Sequence, residues 1–74
     1  MIRFKAWTIN TYKKENTPEG DLAKDLMLDK NFPNIKSKHE GLNYLYNLGS
    51  CEGAINVFKK CWKQYKYNAI QESI

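Results

Sequence analysis

The sequence predicts an all-α fold, a compact bundle of four helices with short loops and the longest helix at the C-terminus. Apolar residues recur at steps of three and four along most of the chain. The strict alternation of polar and apolar residues that is typical of half-buried strands is absent. Residues that favour helix ends divide the chain near positions 17, 37 and 49.

The first helix is predicted over residues 2–14 from the spacing of its rings. Steps of three and four between its members place one set of residues on a single face: Phe4, Trp7, Thr8, Thr11 and Tyr12. Lys5 and Lys13 fall elsewhere, as expected for an amphipathic helix.

The second helix is predicted over residues 18–31. Thr17 is a suitable N-cap, and Pro18 fits the first helical position because its missing N–H has no partner there. The Phe32-Pro33 pair should end the helix, since a residue before proline is pushed out of the helical region. Its expected buried face consists of Leu22, Ala23, Leu26 and Met27.

A capping box at Ser37 and Glu40 predicts a third helix that runs to about Asn47. Gly49 is a suitable left-handed C-cap for that helix. Its apolar side is expected to comprise Leu42, Leu45 and Tyr46, widened by Tyr44 and Leu48.

The fourth helix is expected to start after Ser50 as its cap. Its apolar stripe recurs at helical spacing and contains Ala54, Phe58, Cys61, Trp62, Tyr65 and Ala69. The predicted core of the whole domain contains Phe4, Trp7, Leu22, Leu26, Phe32, Leu45, Phe58, Trp62 and Tyr65.

Length and composition limit the kinds of function that the chain can have. Its 74 residues are enough for one domain, residues 1–74, and the 14% aromatic content argues against disorder. No apolar run approaches the roughly 20 residues that span a bilayer, and residues 1–5 lack the apolar core of a signal peptide. We therefore expect a cytoplasmic protein without a membrane partner.

A distinctive motif occupies the second predicted helix, where residues 17–26 read TPEGDLAKDL and are followed by Asp29, Phe32 and Pro33. A second feature is the spacing of four residues along the last helix: Ala54, Phe58, Trp62 and Tyr65. In both features, and over essentially the whole chain, the sequence resembles the YozE SAM-like family. The resemblance implies a SAM-like helical bundle from low-GC Gram-positive bacteria or their phages. It implies a fold and no particular activity.

Charged residues are unevenly distributed in a chain whose net charge is +4. The candidate basic binding face lies on the last helix and consists of Lys59, Lys60, Lys63 and Lys66, with no acidic residue among positions 59–66. Lys36 and Lys38 precede the third helix, and Tyr44 and Tyr67 are candidate rings for stacking on bases. The candidate acidic face lies on the second helix and consists of Asp21, Asp25 and Asp29.

We expect no enzyme, metal site or cofactor. The three aspartates have the spacing of a solvated helix face, which is the simpler interpretation than an acid–base pair or a metal site. His39, Cys51 and Cys61 lack the short Cys-x₂₋₄-Cys spacing of a structural zinc site. Cys61 falls on the apolar stripe, so a small core residue is expected there. No glycine-rich phosphate loop is present.

The expected function is the non-enzymatic binding of another macromolecule, most simply a protein. SAM domains join an acidic surface to a basic one, and the charges of this chain would allow similar contacts or self-association. Binding of nucleic acid through the basic last helix is the alternative. A third hypothesis is a small phage-encoded inhibitor of a host nucleoprotein complex, of the anti-CRISPR kind. The sequence does not name the partner.

Overall fold

Four α-helices make up the fold of the computed structural model, which describes the backbone of residues 3–72 and the side chains of residues 3–68. They are α1 (Phe4–Tyr12), α2 (Pro18–Leu28), α3 (Lys38–Asn47) and α4 (Glu52–Glu72), with no strand among the described residues. The longest helix is therefore the last, as the sequence predicted. Helix α4 packs against each of the other three.

Side-chain caps determine where the middle helices begin. The Thr17 hydroxyl accepts a hydrogen bond from the backbone N–H of Gly20 at 3.1 Å, with Pro18 at the first helical position. The Ser37 hydroxyl accepts from the N–H of Glu40 at 3.2 Å. The Glu40 carboxylate accepts in turn from the N–H of Lys36, one residue before the position used in a standard capping box. Both predicted caps are thus confirmed.

The core is built around the rings of α1 and α4. Phe4 is 1% exposed, and its ring centroid lies 5.3 Å from those of Phe58 and Trp62 and 5.5 Å from that of Tyr65. Eight of the nine predicted core residues are buried, and Trp7 is half-buried against them. The core is therefore continuous from the first helix to the last.

Two glycines allow neighbouring parts of the chain to pack closely. A Cβ atom on Gly20 would collide with the carbonyl group of Glu15 and would lie 3.1 Å from the carbonyl oxygen of Tyr12. A Cβ atom on Gly41 would collide with the Phe58 ring and would lie 2.9 Å from the Ile35 side chain. Only glycine lets α2 approach the end of α1, and α3 approach α4, this closely.

Several boundaries and burials differ from prediction. Helix α2 ends at Leu28, with Asp29 as its C-cap, so Met27 lies in the last turn and is 53% exposed. Tyr46 and Leu48 are 60% and 59% exposed, because the buried side of α3 is the narrower one that contains Gly41 and Leu45. These three residues were wrongly predicted to be buried.

The start of α4 also differs from prediction. The helix begins at Glu52, and the carbonyl oxygen of Cys51 accepts from the N–H of Ile55 at 3.1 Å. Cys51, and not Ser50, therefore occupies the cap position. Gly49 does adopt the predicted left-handed conformation, with φ of 77°. The predicted core position at Ala69 lies outside the described side chains.

None of the helices in the described range is long and apolar enough to cross a membrane.

Candidate functional site

The four predicted lysines of α4 are all exposed. Lys59, Lys63 and Lys66 are separated by four and three residues, which places them on one face about 10 Å long. Lys60 lies beside them, and its Nζ is 3.6 Å from a carboxylate oxygen of Glu19 on α2. The charge of Lys60 is thus partly compensated within the domain.

Residues from distant parts of the chain extend this face. A shallow hollow of about 610 Å³ is lined by Lys38 of α3 together with the α4 lysines, Trp62 and Tyr67. On the other side of Trp62, a smaller hollow of about 210 Å³ is lined by Arg3, Lys36 and Lys66 among others. We call the cations of the two hollows the basic strip: Arg3, Lys36, Lys38, Lys59, Lys60, Lys63 and Lys66.

Trp62 is the common wall of the two hollows. Its side chain is 8% exposed, and the Lys66 ammonium lies 5.9 Å from the ring centroid, within the range of a cation–π contact. This contact positions Lys66 at the junction of the hollows. The Tyr67 ring, in contrast, is 60% exposed.

Sequence reasoning missed Arg3 as a member of the strip. Arg3 precedes α1 and is 63 positions from Lys66, so nothing in the local pattern connects them. The nearness follows from the packing of α1 on α4 through Phe4 and Tyr65.

Two of the three predicted acidic residues line a separate groove between α2 and α4. Asp21 and Asp25 are exposed at its rim, and Leu22, Ala54 and Val57 supply apolar surface. The groove has a volume of about 360 Å³, and none of its described lining residues is basic. We call it the acidic groove: Pro18, Asp21, Leu22, Asp25, Cys51, Gly53, Ala54 and Val57.

The structure places the third aspartate elsewhere, in a structural role. One carboxylate oxygen of Asp29 accepts from the Tyr44 hydroxyl at 2.7 Å, and the other accepts from the N–H of Asn31 at 3.0 Å. Its backbone carbonyl accepts from the Lys5 ammonium at 2.6 Å. Asp29 therefore links α1, α3 and the end of α2.

Tyr44 is committed to the same contacts. Its ring packs edge-to-face on Phe32 with centroids 5.1 Å apart, and its hydroxyl is bonded to Asp29. The hydrogen bond to Asp29 is the main reason that the pKa of Tyr44 is raised above its usual value. Of the two predicted stacking rings, Tyr67 alone is thus exposed.

The cysteines and the histidine lie in different surroundings. Cys61 is completely buried, and its burial raises the pKa of the thiol to about 12, so the group stays protonated near neutral pH. Cys51 is exposed at the acidic groove, and His39 lies beside the Asn43 amide on the surface of α3. The described residues contain no group of three or more side chains suited to hold a metal ion.

Comparison with known proteins agrees with this architecture. A family model described as the YozE SAM-like fold matches residues 4–67, which is nearly the whole chain. No curated protein and no solved structure matches the chain. The matched residues run from the first residue of α1 into the last helix. The chain belongs to the YozE SAM-like family.

Proposed function

We propose that this domain is a non-enzymatic protein-binding module whose acidic groove receives a basic, partly apolar segment of a partner protein. The observation that carries the proposal is the combination of two exposed carboxylates with an apolar wall in one open groove. Proteins commonly combine an apolar centre with a charged rim where they bind each other.

The groove has the chemistry that such a segment requires. A leucine or similar side chain of the partner would move from water onto the apolar surface of Leu22, Ala54 and Val57. Its burial there would contribute about 1.5–3 kcal/mol to the free energy of binding. A lysine or arginine next to it would meet Asp21 or Asp25, which are one helical turn apart. The absence of basic lining residues removes repulsion against this partner.

The groove also has free space next to the backbone of Gly53. A Cβ atom added to Gly53 would meet only the Cys51 sulfur, at 3.9 Å. A larger side chain there would therefore enter the groove without disturbing the fold, which provides a way to block it.

A titration with a synthetic amphipathic peptide of lysine and leucine tests the proposal. We expect the peptide to bind the wild-type domain and to bind at least tenfold more weakly to Asp25→Lys and Gly53→Leu. Glu15→Lys makes the same charge change on an exposed residue outside the groove and should reduce binding much less. Equal affinities for wild type, Asp25→Lys and Gly53→Leu would refute the groove as the binding surface.

The basic strip of a second copy is one occupant with suitable charge. If it fills the groove, sedimentation velocity will show a mass that rises with concentration and returns to that of the monomer in Asp25→Lys. A monomer at every concentration would exclude a second copy of this chain as the occupant of the groove.

A further inference from the structure

The basic strip separates charge more sharply than the composition suggests. It contains seven of the twelve basic residues, and the described residues that line its hollows include no acidic one. The rest of the chain therefore has five basic and eight acidic residues, a net charge of −3. The overall net charge of +4 thus combines seven cations in the strip with a net charge of −3 over the rest of the sequence.

Within the described residues 3–68, most of these cations form no ion pair. Lys60 has its ion pair with Glu19, and Lys66 lies over Trp62, which leaves its charge uncompensated. Like charges placed together repel one another. The binding of a polyanion to the strip would reduce this repulsion.

An aromatic ring accompanies the cations at the surface. Tyr67 lines the larger hollow together with Lys63 and Lys66, and 60% of its surface is exposed. A protein partner with an acidic surface needs cations alone, whereas a nucleic acid also offers bases that stack on rings. An exposed ring among lysines therefore favours nucleic acid.

We propose that the basic strip binds single-stranded nucleic acid, with its phosphates along the lysines and Arg3 and a base stacked on Tyr67. The cations line two shallow hollows on either side of Trp62, so the surface is uneven. A flexible single strand can follow such a surface more closely than a rigid duplex can. This site is distinct from the acidic groove and does not depend on the function proposed for the groove.

Fluorescence anisotropy with labelled dT₁₂ and U₁₂ tests the proposal on the full chain. With about four phosphate contacts, affinity should fall roughly 50-fold between 50 and 200 mM salt. A duplex of the same length and a poly-glutamate peptide should both bind more weakly than the single strands.

Matched variants locate the site. Lys63→Glu combined with Lys66→Glu should abolish binding, whereas Lys24→Glu combined with Lys30→Glu changes the net charge equally on exposed residues outside the strip and should retain most of it. Tyr67→Ala keeps every charge and should weaken binding about fivefold or more through lost stacking. Circular dichroism of each variant verifies that the helices are intact.

Three results would overturn the proposal. The first is no binding of either single strand at 50 mM salt. The second is stronger binding of the duplex. The third is equal binding of poly-glutamate with no effect of Tyr67→Ala, which would identify an acidic protein as the partner of the strip. Loss of peptide binding in Asp25→Lys with oligonucleotide binding retained would separate this site from the groove.

Discussion

Thr8 is a single polar residue inside an apolar core. Its side chain is fully buried, and its hydroxyl oxygen is the one buried side-chain polar atom without a hydrogen-bond partner within the described part of the chain. A hydroxyl that loses water without gaining a partner destabilises the folded state by about 1–3 kcal/mol. Thr8 therefore lowers the stability of the folded domain from a position in the middle of α1.

We expect Thr8→Val to stabilise the domain. Valine has nearly the same shape and a similar helix propensity, so the substitution removes the unpaired hydroxyl and leaves the packing intact. The free energy of unfolding in urea should rise by about 1 kcal/mol. A lower value than wild type would show that the hydroxyl has a partner.

Cys61 makes stability depend on pH in the alkaline range. Its pKa in the folded state is raised to about 12, mainly by burial and next by the nearby Glu19, whereas the unfolded thiol titrates near 8.5–9. Above that lower value the unfolded chain loses a proton that the folded chain keeps. Stability must therefore fall as pH rises from about 9 towards 12.

Urea unfolding at pH 8 and pH 10 in reducing buffer measures this effect. The wild type should lose about 1.5 kcal/mol more than Cys61→Ala over that interval, since the variant lacks the thiol while other alkaline titrations are shared. Parallel losses in the two proteins would mean that the Cys61 thiol ionises in the folded state.

At the scale of elements, the sequence predicted helices well wherever caps were explicit. Helices α2 and α3 begin after Thr17 and Ser37, as predicted. Each cap joins a side-chain oxygen to the backbone N–H three residues later, so it can be recognised from the local sequence. The end of α2 was predicted three residues too late. Tertiary contacts of Asp29 with Lys5 and Tyr44 stop the helix before the Phe32-Pro33 signal.

Burial outside the helices was harder to predict. Ile35 is 5% exposed, although it lies in a loop where periodicity gives no signal. Within the candidate sites, Lys59, Lys63 and Lys66 followed from helical spacing. The contributions of Arg3 and of the hollows around Trp62 depend on tertiary packing, which no local pattern encodes.

Gly20 and Gly53 are predicted to respond in opposite ways to alanine. Both lie in first turns of helices, but only Gly20 meets backbone at close range. Gly20→Ala must push α2 away from the Glu15 carbonyl and should lower the melting temperature. Gly53→Ala meets no obstacle and should be neutral or stabilising by up to about 1 kcal/mol. Thermal unfolding of the two variants compares them directly, and equal shifts would contradict the packing of α2 on α1.

At the scale of the whole molecule, the fold serves to separate charge. The aromatic core fixes α4 between α2 and α3, so one side of α4 borders the acidic groove and another carries the basic strip. Neither surface needs an enclosed pocket. A domain of 74 residues thus presents an acidic groove and a basic strip along one helix.

Salt should affect these two faces unequally. Nucleic acid on the strip releases counterions and is strongly weakened by salt, whereas a peptide in the groove also gains from apolar burial. We expect raising salt from 50 to 200 mM to reduce oligonucleotide affinity by a much larger factor than peptide affinity. Isothermal titration calorimetry of both ligands provides the comparison, and an equal salt dependence would argue against the apolar contribution of the groove.

The most direct measurement of the central claim is a map of backbone amide chemical shifts during separate titrations with dT₁₂ and with the lysine–leucine peptide. We expect two sets of perturbed amides that do not overlap. Oligonucleotide should shift residues near Arg3, Lys36 and Lys63, and peptide should shift residues near Asp25 and Val57. Shifts in one common set, or in neither surface, would contradict it.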